Sequence, residues 1–599
     1  MPRVREHIES CERSGTSGQE KTISEFRACE PGGPEKTSVS PRRVLAITLV
    51  ALLLFRLGAA FAHIGVSDLF VRLQDSRLLW FELALGALAI VPIGWAGSQV
   101  LAVSHRMVWV IACVVAVVAY IGHYHLLSGH DLSRDEQMAV FDAQVYGSGK
   151  LAQPLSSQWQ TYASALNLVF MLPVKQPVAW ISAYLPGNAL LRAGFALIGD
   201  QALTGPVLAL VSLVLVWRCA RLLWPDELEP QAIAVWVSAL SGQVVMTSMT
   251  AYAMPAHLCF NLAWLWLFFW NRRSADCVAV FIGFAATGLH QPLPHPLFVI
   301  PFLLLLVSRR EWPRVALFST GYAAIGLFWL MWPLSTHALV AGPLSMTVGH
   351  GTNFFGRLIE QLALNIEPLQ LMAANLLRFC TWQALPMIPL LVLGFSVARR
   401  DTTAAALAGG IVLSVAVLAL IIAYQGHGFG YRYLHGLIGN AALLAGYGWR
   451  ALAAHQDRLR PVLRRGLVLS AVALLPAEAA MAHALYAPFA NVRQRIVSSG
   501  ADYVAIVPTD APYVTDLVIN RPDLANRPIL LEASKIADPQ RMARMLCHLG
   551  VRVIVPEVST YHGIVAYFGM GRKPSAKPID HAPLTSAFAA AGCDVSEKL

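Results

Sequence analysis

Ser133-Arg134-Asp135-Glu136-Gln137 sets two carboxylates side by side in a polar segment that begins where a long apolar run ends. Charge beside a membrane-length run is costly to leave idle, so the pair reads as a site for chemistry. The plain alternative is a solvated loop or a helix N-cap. The chemistry open to the pair is proton transfer, because a carboxylate within hydrogen-bond reach of a hydroxyl or amine can take its proton. Asp135 is the candidate base. Glu136 points elsewhere on the same turn and is read as orienting the loop, a metal or a neighbouring arginine. Asp131 and Arg134 are close enough in sequence to contribute to substrate binding. An anionic substrate group such as a phosphate would need a cation, and Arg432 is the leading one: it is the sole Lys or Arg in Gln425–Tyr433 and offers two parallel donors. Tyr433 follows it, and Lys175, Arg357 and Arg378 are alternatives in other loops. His257, His290 and His427 stand near span ends and are expected to face one cavity and hydrogen-bond a polar substrate there. His295 stands close to His290, but no two of these four share i, i+4 helical spacing. No metal site is therefore assigned and no cofactor is required, although a divalent metal stays open.

These residues must be held by elements of a membrane protein. The 599 residues are 56% hydrophobic and 13% charged, with mean hydropathy +0.55, against about 25% charged in soluble domains. Thirteen apolar runs qualify as spans: approximately 44–65, 78–100, 107–126, 203–222, 233–250, 256–270, 277–289, 293–307, 315–332, 385–397, 404–424, 433–449 and 467–485. Residues 1–43 interleave basic and acidic residues with Ser, Gly and Pro, and are expected to be a disordered cytoplasmic tail. The net charge of +10 is explained by topology rather than by nucleic acid, since no basic stripe interleaves with aromatics. With the N-terminus inside, the short inner loops collect Arg106, Arg218, Arg221, Arg272, Arg273, Arg309, Arg310, Arg399 and Arg400. The short outer loops 249–255 and 290–292 have no Lys or Arg; Arg72 and Arg77 are the exceptions. Parity then puts Asp135-Glu136 outside, with 334–383, 425–432 and everything after about 486.

The loop 125–202 is the expected periplasmic catalytic loop. Trp159–Leu172 and Pro177–Leu191 mix aromatic and apolar residues and suit helices in the interface plane, with Trp159, Trp180 and Tyr184 at headgroup level. After residue 486 the text turns soluble: 503–507, 529–531 and 551–555 read as strands and 538–549 as a helix, hence a small periplasmic α/β domain over 486–599. Cys547 and Cys593 could pair there, or remain free thiols.

The Asp135-Glu136 helix, ending at Gly147-Ser148-Gly149 with Lys150, Leu151 and Pro154 behind it, resembles the first periplasmic loop of GT-C membrane glycosyltransferases. The resemblance is to the protein O-mannosyltransferase and lipid A aminoarabinose transferase type. Trp180–Gly187 with Leu190–Gly194, 238–257, 286–301 and Gly430-Tyr431-Arg432-Tyr433 are similar to later segments of such enzymes. In that family the acidic pair follows the first span; here it follows the third. The resemblance implies an all-α polytopic fold of the GT-C kind with an extracytoplasmic C-terminal domain. It also implies an inverting transfer of a hexosyl or pentosyl group from a polyprenyl-phosphate donor to a lipid, glycan or protein acceptor, in the bacterial inner membrane. A transporter or flippase would instead place its ionisable groups at mid-depth. An O-antigen polymerase or ligase would concentrate them in one late outer loop.

Overall fold

The computed structural model describes residues 41–61, 69–91, 102–166, 169–174, 177–341, 367–421, 425–453, 459–508, 513–548, 550–569 and 582–599. Lys175, Arg357 and most of the expected N-terminal tail lie outside them. Among the described residues five helices are long and apolar enough to cross a membrane: His105–His125, Gln201–Leu223, Trp312–Ala341, Thr402–Ile421 and Leu459–Ser498. Shorter apolar helices include Met254–Phe269, Pro294–Ser308 and Met387–Val397. Apolar side chains such as Leu57, Trp80, Val110 and Leu327 point outward, as lipid-facing surfaces require.

Several expected spans differ from the helices observed. The run 233–250 is not one helix: it breaks at Leu240, and Gly242–Thr247 restarts from Ser241, whose hydroxyl caps the Val244 N–H at 3.2 Å. A Ser-Gly pair favours such a restart, since Ser supplies the capping oxygen. The span expected over 315–332 continues to Ala341, absorbing the start of the outer loop expected at 334–383, and a second helix, Glu367–Thr381, closes that loop. At 1.5 Å per residue its 30 residues reach well past the ~30 Å hydrocarbon layer. Its end meets the loop 125–202, where the Val178 N–H donates to the Val340 carbonyl at 3.0 Å.

The stretches expected as interfacial helices mostly fold inward. Trp159 and Trp180 are buried rather than at headgroup level. Gln153–Pro154 pairs with Ala179–Trp180 as a two-residue antiparallel ribbon. Only Gly187–Leu197 is an amphipathic helix with exposed leucines, Leu190 and Leu197. Trp180 packs edge-on to Phe141 at 5.0 Å, and its indole N–H donates to the Pro522 carbonyl at 2.9 Å. Burying a tryptophan demands such a partner.

After the helix ending at Ser498, four parallel strands lie in the order 529–532, 503–506, 552–554, 594–596. Parallel pairing needs crossovers, supplied in part by Pro539–Leu546 and Ala582–Ala590. Cys547 and Cys593 are joined as a disulfide across this unit.

Candidate functional site

Ser133 starts the helix Arg134–Gly147 through a capping box: the Glu136 N–H donates to Ser133 Oγ at 3.1 Å, and the Ser133 N–H donates to Glu136 Oε2 at 2.9 Å. The first turn therefore presents Asp135 on one side and turns Glu136 to the other, where the Tyr486 hydroxyl donates to it at 3.1 Å. Burial, with the nearby Asp131 charge, pushes the Glu136 carboxyl up to about 8. Its bonds to Ser133 and Tyr486 make Glu136 a capping residue rather than an acid facing substrate.

Asp135 meets two partners that sequence spacing hides. Arg432 Nη1 donates to Asp135 Oδ2 at 2.5 Å, and the Tyr184 hydroxyl donates to Oδ1. Burial alone would raise the Asp135 carboxyl; Arg432, His290 and the Tyr184 bond outweigh it and hold it down to about 2. Tyr184 is fixed by a docked segment: the Leu185, Gly187 and Asn188 N–H groups donate to the carbonyls of His290, Gly288 and Leu289 at 3.2, 2.8 and 3.0 Å. Its ring lies on His290, centroids 4.0 Å apart. Burial lowers His290 to about 4, so this imidazole is neutral at physiological pH.

Arg432 is delivered by the loop 425–431. Gln425 closes it, accepting from the Arg432 N–H at 2.8 Å and donating to the Gly430 carbonyl at 2.7 Å. Gly428 and Gly430 have φ of +140° and +65°. A Cβ at Gly428 would lie 2.5 Å from Arg432 Cδ, and one at Gly430 2.5 Å from Gln243 Oε1. Arg378 braces the loop, donating to the Gly428 carbonyl at 2.6 Å while paired with Asp75 at 3.3 Å. It is a buried strut, not a free phosphate contact. The Arg432 guanidinium stacks 4.6 Å from the Tyr252 ring centre, and its buried Nε has no hydrogen-bond partner among the described residues.

Arg432, Tyr433, His257, Asn261, His290, Gln291 and Ser414 supply polar groups to a small cleft that Leu297, Leu418 and Leu437 also line. Asp135 does not itself line the cleft; it is bonded to the arginine that does. The other expected site residues go elsewhere. Arg134 faces the C-terminal unit through Asp516 at 3.0 Å and the Val518 carbonyl at 3.0 Å. His427 is buried against Tyr252 and Tyr513, not in the cleft. Asp131 is raised by burial and has His123 and Arg192 as its countercharges. Among the described residues no three His, Cys, Asp or Glu are grouped to hold a metal ion.

Tyr184, Tyr252, Gln425 and Asp516 were not singled out from sequence as site residues. The Gly-rich 426–430 text with a lone arginine was the one signal for the loop; nothing in spacing links Tyr184 or Asp516 to Asp135.

No family model matches the chain, and no curated protein does. Solved structures similar in shape include two of ArnT from Cupriavidus metallidurans. The one bound to undecaprenyl phosphate has 12% identity and a TM-score of 0.42, covering 81% of this chain and 89% of that one. The apo form has 12% identity and a TM-score of 0.45, covering 79% and 90%. At this identity and these scores the likeness is one of distant shape.

Proposed function

We propose that the chain is an integral membrane glycosyltransferase of the GT-C type, taking a sugar from a polyprenyl-phosphate donor on the extracytoplasmic face. The observation that carries this reading is the Asp135–Arg432 contact beside a cleft lined by both polar and apolar side chains, Arg432, His290 and Asn261 with Leu297, Leu418 and Leu437. A lipid-linked phosphate has that same polarity: an anionic head for Arg432, and a chain for the leucines on Pro294–Ser308 and Thr402–Ile421. Arginine carries five N–H donors, and Arg432, which lines the cleft, gives Nη1 to Asp135. Drawing the guanidinium toward phosphate loosens its hold on Asp135. The carboxylate then rises from its depressed state toward a competent base and faces the space Arg432 occupied.

In the reaction, Asp135 takes the proton of the acceptor hydroxyl or amine. That atom bonds to the anomeric carbon, and the bond from this carbon to the phosphate oxygen breaks with its electron pair. The lipid phosphate leaves against Arg432, and direct displacement inverts the anomeric centre. His290, His257 and Tyr433 supply hydrogen bonds to sugar or phosphate. The disulfide in the C-terminal unit supports an oxidising compartment for that face. A transporter reading is less well served, because Asp135, His290 and Arg432 converge at loops and helix starts rather than inside long apolar helices.

The test is to incubate purified protein with a panel of undecaprenyl- and dolichyl-phosphate sugars and candidate lipid and glycan acceptors. Release of lipid phosphate that depends on Asp135 is expected, with the product of opposite anomeric configuration. No release from any donor, or equal release by Asp135→Asn, would overturn the reading.

A further inference from the structure

We propose that Asp516, in the C-terminal unit, is a positioning residue that holds the two segments carrying Asp135 and Arg432 in one geometry. The inference rests on the transferase reading for what the pair does, and on distances alone for what Asp516 does.

Asp516 sits in the turn Val514–Leu517, behind Tyr513. One carboxylate oxygen accepts from Arg134 Nε at 3.0 Å; the other lies 4.0 Å from His427 Nε2. Arg134 and Gln137 flank Asp135 on its helix, and both grip this same turn. Arg134 also donates to the Thr515 and Val518 carbonyls, and Gln137 Nε2 donates to the Asp516 carbonyl at 2.8 Å. Gln137 then ties the turn to the loop before the helix, donating to the Asp131 carbonyl at 2.9 Å.

His427 belongs to the loop that delivers Arg432. It is packed between the Tyr513 ring, centroids 4.4 Å apart, and Tyr252, whose hydroxyl lies 3.4 Å from His427 Nδ1. Tyr252 is the ring on which the Arg432 guanidinium stacks. Two chains of contact therefore leave one side chain. The first runs from Asp516 through Arg134 to Asp135, and the second from Asp516 through His427 and Tyr252 to Arg432. Asp135 and Arg432 are 297 residues apart and belong to different outer loops. A common anchor in a third segment fixes their separation where a single loop would not. A misplacement of ~1 Å between reacting groups can cost on the order of 10²-fold in rate.

The experiment uses the full chain in lipid nanodiscs, comparing wild type, Asp516→Ala, Asp516→Asn and, as a surface control, Arg521→Ala. Arg521 pairs with Asp523 on the exposed side of the same unit. Hydrogen exchange is read over peptides covering residues 131–139 and 425–433, together with kcat and donor KM per folded molecule. Asp516→Ala is expected to speed exchange in both peptides and to lower kcat about 10²-fold, with donor KM changed less than about threefold because Arg432 remains. Asp516→Asn keeps an acceptor for Arg134 and recovers part of both signals, while Arg521→Ala matches wild type. Unchanged exchange in either peptide, or an unchanged kcat in folded Asp516→Ala, overturns the proposal. If Asp516→Ala is not recovered folded, Asp516→Asn decides by the same two readings. If wild type transfers no sugar, the exchange arm still decides the role of Asp516, and the failure falls on the transferase reading alone.

Discussion

Replacing Asp135 by Asn keeps the shape of the side chain and removes its charge, so it separates catalysis from packing. A positioned general base contributes about 10²–10⁴-fold to rate, and a loss of that size is expected. The same change leaves Arg432 buried without its counter-ion, and breaking a buried pair from one side costs about 3–5 kcal/mol. The Asp135 carboxyl gives an independent scale. Its depression from 3.8 to about 2 corresponds to roughly 2–3 kcal/mol at neutral pH. Because the folded value lies below the ordinary one, this stability is present above about pH 4 and is lost as pH falls through about 2. The two scales meet at about 3 kcal/mol, and a loss of that size is expected. Adding Arg432→Gln removes the pair as a unit, and the double variant should be more stable than Asp135→Asn alone by about 1–2 kcal/mol, with activity still absent. Detergent-solubilised unfolding midpoints and release of lipid phosphate measure the two effects. Wild-type turnover by Asp135→Asn, or single-variant destabilisations that simply add, would refute the reasoning.

Three further outcomes are expected. Tyr184→Phe removes one donor to Asp135, which should move the acid limb of kcat/KM to higher pH and lower the rate less than about tenfold, seen in a pH–rate profile. Glu136→Gln retains an acceptor for Ser133 and Tyr486, so turnover should stay within about threefold of wild type if this residue is a cap and not a base. The Glu136 carboxyl is raised to about 8, so its stability contribution is full below about pH 4.5 and fades as pH rises through about 8; the variant should show a shallower decline of unfolding midpoint over that window. Arg378→Met leaves Asp75 buried without its cation and the Gly428 carbonyl without its donor. It should destabilise by about 3–5 kcal/mol and loosen the 425–432 loop, detected as faster proteolysis near Gly426.

The membrane class and many helices were legible in the chain because apolar runs of spanning length have few alternative fates. The C-terminal strands near 503, 529 and 552 were legible for a related reason: short β-type runs between turn residues bury on both faces of a parallel sheet. Asp135 could be singled out because a carboxylate beside a span is unusual, and Arg432 because it is alone in its loop. What spacing could not show was their contact across 297 residues, the tyrosine that shares Asp135, or the turn at Asp516 that holds both segments. Nor could it show that Glu136 is consumed by its own helix cap while its neighbour pairs with the arginine that lines the cleft. Trp159 and Trp180 carried the wrong signal, because an amphipathic ring suits a headgroup layer and a domain seam equally well. Local pattern determines which segments are buried and which turn; the pairing of charges between distant loops depends on how those segments stack, and only the tertiary structure decides that.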